Sequence, residues 1–244
     1  PAGVKLVGPR LLHTSQWGFI DPIDTPDGGN IGLHKSLAMT TRISKGAARQ
    51  PLIDWLREKV SMKFVEECSP TILASMTKII VNGYWAGAIF DPVECVEKIR
   101  LFRRNALLSL EVSVTFDIKQ NTIFIYNDSG RLCRPVFYND KNNDKYELPK
   151  QILDMINDCS WEDLVSGFNK KKMPEFHWKH TQIYELYDLY EGVEKETNPY
   201  KLERFMQKKA LIDYIDCSES ENALIALNKT TMEKNKNQHQ RFCK

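Results

Sequence analysis

The sequence lacks any pair of cysteines close enough to form a zinc-binding Cys-x-x-Cys motif. Its nearest cysteines, such as Cys133 and Cys159, lie 26 residues apart, whereas zinc-binding pairs are separated by about two to four residues. An even number of cysteines permits disulfides, but nothing in the sequence points to a small secreted scaffold. We therefore expect free thiols in a reducing intracellular compartment. The six cysteines are Cys68, Cys95, Cys133, Cys159, Cys217 and Cys243.

Long apolar runs and a strong charge of one sign are also missing. Neither a stretch of about 18 apolar residues nor a signal peptide is present, so the sequence predicts no membrane span. The formal net charge of +2 does not by itself predict nucleic-acid binding. Basic residues cluster at 98–104 and 170–172, and we interpret each cluster as a solvated face or loop, with phosphate binding as the alternative for the first. The hydrophobic content of 42% is sufficient for a packed core in one large domain or a few small ones.

Two catalytic constellations are incomplete. His13, Ser15 and Asp21 are residue types of a hydrolase triad, but the Gly-x-Ser-x-Gly elbow is absent and spacing alone does not define a triad. Asp21 and Asp24 lie three residues apart, but their loop offers no third ligand at a suitable spacing. We therefore predict neither a hydrolase site nor a metal ligand in this stretch.

The most informative feature that is present is the stretch at residues 12–33. It contains two prolines, four glycines and three acidic residues, and neither a helical nor a strand period fits it. Because proline fixes φ and glycine frees it, the stretch specifies a backbone shape residue by residue. A loop that must place polar groups beside a reacting phosphate chain needs such detail. The residues that we expect to shape this loop are Pro22, Pro26, Gly28 and Gly32.

This stretch resembles the fork region of the second-largest (β-type) subunit of multisubunit DNA-directed RNA polymerases. That family has His-x-(Ser/Thr)-x-(Trp/Tyr)-Gly, followed by Pro-x-Glu-Thr-Pro-Glu-Gly and then Gly-Leu. Asp24 and Asp27 stand where the family usually has Glu. The residues that match as they stand are His13, Trp17, Gly18, Pro22, Thr25, Pro26, Gly28, Gly32 and Leu33.

A second unit is predicted at residues 77–138. Asn82-Gly83 between two apolar runs predicts a β-hairpin, because a type I′ turn needs positive φ at both positions. Asp91 and Pro92 predict the start of a helix. The apolar face of that helix would be Cys95, Val96, Ile99 and Phe102, with Arg103 and Arg104 at its solvated far end. We interpret Trp85, Phe90, Phe102 and Phe116 as core residues of this unit.

Further elements follow from shorter patterns. Pro135 cannot donate to a strand ladder, so the last strand of the second unit should end there or lie at an edge. Residues 33–39 form a short helix or strand, with a mild preference for helix. Strands are expected at 4–7, 110–116, 122–126, 131–137 and 211–216, and helices at 51–59 and 199–209.

The second unit resembles the first external domain of the same polymerase family, and residues 211–226 resemble the second. The resemblance rests on three segments of the second unit: Val81-Asn82-Gly83-Tyr84-Trp85-Ala86-Gly87, Phe102-Arg103-Arg104, and Asp128-Ser129-Gly130-Arg131-Leu132-Cys133-Arg134-Pro135. It implies an α+β fold of several small modules with antiparallel sheets and short helices, an internal piece of a larger multidomain subunit. The expected division is a fork-region segment at 1–50, a helical connector at 51–76, an external 1-like module at 77–138, a variable region at 139–200 and the start of an external 2-like module at 201–244.

The resemblance implies that Arg10, His13, Asp24 and Asp27 lie near the template or the incoming nucleotide, and that this chain holds no catalytic residue. Arginine suits such a place because its planar guanidinium binds two phosphate oxygens; the alternative is a surface arginine. Asp27 would pair with a basic side chain or bond its own turn backbone. His13 would bond backbone. Trp17 would be buried as the anchor of the loop, with base stacking as the alternative.

The function that the resemblance implies is positioning of template DNA and ribonucleotide during RNA synthesis, in the eukaryotic, archaeal or large-DNA-virus branch. The complete enzyme would use Mg²⁺ held mainly by the largest (β′-type) subunit, with none bound by this chain. Expected partners are the DNA template, the nascent RNA, ribonucleoside triphosphates, the largest subunit and other subunits, without a membrane. The chain would accompany the transcription complex, whether in nucleus, host cytoplasm or virion. Alone it should be inactive.

The alternative function is a non-enzymatic scaffold or nucleic-acid-binding protein that retains polymerase modules. Strong, salt-dependent DNA binding by the isolated chain would favour this alternative.

Overall fold

In a computed structural model, the described residues are 6–104, 108–138, 212–226, 231 and 241–242. They form two β-sheets and a set of short helices, which confirms the predicted α+β class. The sheets are mixed rather than purely antiparallel, because each contains one parallel pair. The helix predicted at 199–209 lies outside the described residues. No helix in the described ranges is long and apolar enough to cross a membrane.

The first sheet has four strands in the order β3-β2-β5-β4. Its strands are β2 (Thr77–Val81), β3 (Tyr84–Ile89), β4 (Ser113–Asp117) and β5 (Thr122–Tyr126). β2 runs antiparallel to β3 and parallel to β5. Asn82 and Gly83 have φ of 48° and 77°, so the predicted hairpin turn is confirmed.

Two helices cover the inner face of this sheet. The described α-helices are α1 (Arg49–Lys59), α2 (Pro70–Ser75), α3 (Pro92–Arg104) and α4 (Cys217–Glu221). α1 and α3 match predicted helices. The Asp91 carboxylate accepts the backbone N–H groups of Val93 and Glu94 at 3.0 and 3.1 Å, which confirms the predicted cap of α3.

One hydrophobic core lies between these helices and the four-stranded sheet. The rings of Trp55 and Phe102 pack edge to face with centroids 4.9 Å apart. Phe102 is buried and Phe116 partly buried, as predicted, but Trp85 and Phe90 are exposed, so the prediction of a core position is wrong for these two. Trp85 pairs across the hairpin with Ile80, after a register shift of β2 against β3. Phe90 follows the end of β3.

The second sheet is organised around one long strand. Its strands are β1 (Arg42–Lys45), β6 (Ser129–Tyr138), β7 (Ile212–Asp216), β8 (Ile225–Ala226) and β9 (Arg241–Phe242). β6 pairs antiparallel with β1, β7 and β9. Of the two alternatives predicted for Pro135, the end of its strand is wrong, because β6 continues to Tyr138. β1 begins opposite Cys133 and does not reach Pro135, so Pro135 has only β7 beside it among the described strands, as the predicted edge position requires.

Residues 6–41 contain no long regular element. Three 3-10 turns interrupt them, at Gly8–Arg10, Thr14–Gln16 and Gly28–Asn30. The strand predicted at 4–7 is wrong for its described part, since Leu6 and Val7 lead into the first turn. The helix or strand predicted at 33–39 is also wrong. That segment runs back along residues 19–21 through backbone bonds from Asp21 to Ser36 and from Ala38 to Phe19, with a single bridge at Leu37.

Candidate functional site

The side chain of Arg10 closes the loop that the sequence singled out. We call residues 8–41 the fork loop. The Nη1 of Arg10 donates to the carbonyl oxygens of Gly29 and Ile31 at 2.7 and 2.9 Å, and its Nε donates to Leu6 at 3.1 Å. These bonds join the start of the fork loop to residues about 20 positions later. Arg10 therefore shapes the loop, whatever else its guanidinium contacts.

Gly32 allows this closure. Its φ is +75°, and a Cβ at this position would lie 2.3 Å from the carbonyl oxygen of Arg10. Its backbone N–H donates to the Thr25 hydroxyl at 2.8 Å. Gly28 also has a positive φ of +80°, but its surroundings are open. The two glycines predicted to shape the loop therefore act differently. Gly28 supplies a backbone conformation with positive φ, whereas Gly32 supplies both such a conformation and a close approach to Arg10.

His13 and Asp21 each bond local backbone. The Nδ1 of His13 accepts the backbone N–H of Ser15 at 3.2 Å and lies 2.7 Å from the Ser15 hydroxyl, which confirms the predicted backbone bond of this histidine. The Asp21 carboxylate accepts the N–H groups of Ile23 and Asp24 at 2.9 and 3.3 Å, as in an Asx turn. The structure thus gives each residue of the incomplete triad a turn-forming role.

The carboxylates of Asp24 and Asp27 differ from that of Asp21, because they do not accept hydrogen bonds from the described backbone. Both residues are exposed, and among the described residues neither carboxylate has a hydrogen-bonding or ion-pair partner. Asp27 precedes the 3-10 turn at Gly28–Asn30, but its side chain does not cap that turn, so the alternative of a backbone-bonded Asp27 is wrong. Pro22 and Pro26 flank Asp24 and are exposed or nearly so. The fork loop therefore presents two carboxylates on a stiffened backbone.

Phe19, not Trp17, anchors the fork loop to the rest of the fold. Trp17 is 54% exposed, so its predicted burial is wrong, whereas Phe19 is 2% exposed. The Thr41 hydroxyl bonds the carbonyl oxygens of Gly18 and Phe19 at 3.2 and 3.0 Å. The Nη1 of Arg134, in β6, donates to the carbonyl oxygen of Trp17 at 2.6 Å. The sequence could not reveal this contact, because its partners are 117 positions apart.

A buried charge cluster joins α3 to β7 and α4. The Nη1 of Arg103 donates to Glu219 and to the carbonyl of Val112, both at 2.7 Å, and Arg104 binds both oxygens of Asp213 at 2.7 and 3.0 Å. Arg103 is 1% exposed, so the prediction of a solvated helix end is wrong for it. Burial alone lowers the pKa of Arg103, but the charges of Glu219 and Asp213 outweigh burial and raise the pKa above its ordinary range.

The remaining arginine of the Gly-Arg-x-x-Arg segment continues this cluster. Arg131 donates to the Asp216 carboxylate at 2.9 Å and to the Glu111 carbonyl at 2.8 Å. The other oxygen of Asp216 accepts the Ser113 hydroxyl at 2.7 Å and caps α4 through the N–H of Glu219 at 2.8 Å. Ser113 is buried in this cluster. The strand predicted at 110–116 begins only at Ser113. Arg131 thus bonds β7, whereas Arg134 bonds the fork loop.

No group of three potential metal ligands occurs within the described ranges. The carboxylates of the charge cluster are bound to arginines, and Asp21 is bound to backbone. These donor sets do not fit a magnesium ion, which prefers carboxylate and water oxygens in octahedral geometry. We therefore assign no metal ligand among the described residues.

Comparison with known proteins places these features in one family. One family profile, RNA polymerase Rpb2 domain 3, matches residues 2–43, and another, RNA polymerase Rpb2 domain 4, matches residues 79–140. The first match contains the whole fork loop. The second contains the sheet of β2 to β5, except the first two residues of β2, and the arginines of β6.

Whole proteins show the same similarity. The chain is 40% identical over 171 residues to the DNA-directed RNA polymerase II subunit 2 of Arabidopsis thaliana, covering 67% of this chain and 14% of that protein. It is 30% identical over 233 residues to the RNA polymerase II subunit RPB2 of Meyerozyma guilliermondii, covering 95% and 17%. The subunit 2 of Acanthamoeba polyphaga mimivirus is 30% identical over 168 residues, covering 68% and 14%. The chain thus spans about a sixth of the length of these relatives or less.

Proposed function

The chain belongs to the family of second-largest, β-type subunits of DNA-directed RNA polymerase, and from this premise we propose that its fork loop forms part of the wall of the active centre. In the complete polymerase, this wall positions template DNA and the incoming ribonucleotide while the RNA 3′ end is extended. The reaction is nucleotidyl transfer from ribonucleoside triphosphates. In such chemistry, positioning and charge stabilisation supply most of the rate enhancement.

One observation carries this proposal: the fork loop is closed by Arg10 yet presents Asp24 and Asp27 without internal partners among the described residues. A closed loop holds such groups at fixed positions, whereas a mobile loop would not. Carboxylates beside a nucleotide site would orient a basic side chain or a ribose hydroxyl rather than phosphate, because like charges repel. We assign Asp24 and Asp27 this orienting role, and Arg10 and His13 the role of holding the loop that carries them.

Many apolar side chains of the fork loop are exposed, and these could form an interface with other parts of the polymerase. Scattered exposed apolar residues are ordinary, but a contiguous segment rich in them is typical of an interface. We propose that these residues contact the largest polymerase subunit or other parts of the complete subunit. The exposed apolar residues of the fork loop are Leu11, Leu12, Trp17, Ile23, Ile31, Leu33, Leu37 and Met39.

Magnesium enters this proposal only through the complete polymerase. As in other members of the family, the assembled enzyme uses Mg²⁺, which stabilises the charge of the transferring phosphoryl group. We propose that the ion is held mainly by the largest subunit. The residues of this chain would act beside it by orienting the nucleotide and by excluding misaligned substrates, in the compartment where the transcription complex works.

The test is nucleotide kinetics with charge-neutral variants of the complete polymerase. Asp24→Asn and Asp27→Asn keep side-chain size and remove one charge each. We expect each variant to raise the KM for ribonucleoside triphosphates by about three- to thirtyfold, as replacement of a charged hydrogen bond by a neutral one does. Glu66→Gln is the matched control, because Glu66 is an exposed carboxylate in a different module. A KM equal to that of the control for both variants would contradict the proposal.

A further inference from the structure

We infer that Arg134 is a positioning residue, which fixes where the fork loop sits although it lies 117 positions after the backbone group that it binds. The inference concerns the placement of residues 17–20 on β6. It rests on the proposed function only for the consequence that this placement has for nucleotide binding. Arg134 touches no reacting atom in this account, and its effect passes through the loop.

The buried guanidinium of Arg134 makes two kinds of contact with the fork loop. Its side chain is 5% exposed, and its Nη1 donates to the Trp17 carbonyl at 2.6 Å. The centre of its guanidinium lies 5.6 Å from the ring centroid of Phe19. A charge-assisted bond and a cation–π contact therefore act on the two loop residues that flank Gly18, and burial strengthens both.

The loop is shaped to receive this guanidinium. Gly18 lies between the two contacted residues with φ of +80°. A Cβ at this position would lie 2.2 Å from Nη1 of Arg134 and 2.8 Å from its Cδ. Only glycine at position 18 lets the arginine approach the Trp17 carbonyl this closely. The complementarity of Gly18 and Arg134 is therefore a property of the pair.

The backbone of Arg134 is itself held in place. It pairs with Ile215 of β7, and the neighbouring Cys133 pairs with Arg42 of β1. Three residues earlier in β6, the side chain of Arg131 is bonded to Asp216 of β7. Because β6 is fixed on both sides, the guanidinium of Arg134 is a rigid reference point, and the loop is the part that adjusts to it.

The experiment measures hydrogen exchange and nucleotide kinetics on the complete polymerase. In Arg134→Ala we expect the amides of residues 17–20 to exchange about tenfold faster, while the amides of β1 and β6 stay protected. Arg134→Lys should restore part of the protection, because it keeps the charge without the planar fork. Gly18→Ala should also speed the exchange of the amides of residues 17–20, because the added methyl displaces the guanidinium of Arg134. This variant tests the contact even if Arg134→Ala fails to assemble.

Gly28→Ala controls for backbone strain in the exchange experiment, since it adds a methyl at an equally positive φ in open space. Unchanged exchange at 17–20 in both Arg134→Ala and Gly18→Ala would overturn the inference. So would equal loss of protection in β1 and β6, which would make Arg134 a general stabiliser. Faster exchange with a threefold or greater rise in nucleotide KM supports both proposals. Faster exchange with unchanged kinetics supports the inference and contradicts the proposed function.

Discussion

Among the described arginines that bind internal acceptors, three each fix a different boundary. Arg10 closes the fork loop, Arg134 attaches it to β6, and Arg103 joins α3 to α4. In each case the guanidinium has several fixed donors in one plane, so that one side chain can bond groups from two segments at once. At the residue scale, internal arginine contacts therefore hold the modules together.

The cluster around Arg103 gives the residue-scale prediction. Glu219→Gln removes the charge that faces a buried guanidinium at 2.7 Å, and burial prevents water from replacing it. We expect the change to destabilise the chain by about 3 kcal/mol, at the lower end for a broken buried pair because Asp213 remains 3.5 Å from Arg103. Urea unfolding measures this loss.

The matched control is Glu94→Gln, the same chemical change in an exposed pair with Lys98 at 3.8 Å. Such a pair contributes less than about 1 kcal/mol. Equal shifts of the urea midpoint for Glu219→Gln and Glu94→Gln would show that the buried cluster adds no stability of its own.

At this scale the sequence predicted short-range roles and missed long-range ones. The backbone bond of His13 and the capping bonds of Asp91 involve neighbours within three positions, which the sequence displays directly. The partner of Arg103 lies 116 positions away. Nothing in the local pattern distinguishes this arginine from a solvated one, because the burying surface comes from β7 and α4.

At the scale of elements, turns with positive φ decide the path of the fork loop. Gly28 and Gly32 have φ of +80° and +75°, so an alanine at either position is strained by about 1 kcal/mol. Only Gly32 also packs against the backbone of Arg10. The two glycines therefore form a natural pair for separating backbone strain from close contact.

This pair gives the element-scale prediction. Gly32→Ala should open the loop at Arg10, so that the amides of residues 29–32 exchange with solvent at least about tenfold faster than in the parent polymerase. Gly28→Ala should change exchange at the same amides by a few-fold at most. Hydrogen exchange of both variants in the complete polymerase is the measurement. If the two variants behave alike, the close packing of Gly32 on Arg10 does not hold the loop.

Elements with local determinants were the ones that the sequence predicted well. The hairpin of β2 and β3 and the helix α3 each follow from a few adjacent residues. β1 was missed because its only described strand neighbour is β6, almost 90 positions later. The short helix or strand predicted at 33–39, with its mild preference for helix, was wrong for a related reason: the segment bonds residues 19–21 instead of itself. Tertiary pairing overrode a weak helical pattern.

At the scale of the whole molecule, β6 is the strand that contacts both the fork loop and the segment of β7 and α4. It receives the fork loop through Arg134 and β1, and it receives the acidic segment of β7 and α4 through Arg131. The module of β2 to β5 packs behind this arrangement through α3 and Arg103. The chain therefore holds a polymerase loop on a framework built from residues far apart in the sequence.

The central claim is that the exposed face of the fork loop lies beside the incoming nucleotide. The most direct test replaces Asp27 with the photoreactive residue benzoylphenylalanine in the complete polymerase. A stalled elongation complex with bound nucleotide is irradiated, and labelled nucleotide or RNA 3′ end attached to this chain is measured. The same replacement of Ile118, which is 78% exposed in the turn between β4 and β5, is the control. The account predicts crosslinks from position 27 and none above background from position 118; equal or absent crosslinking at position 27 would contradict it.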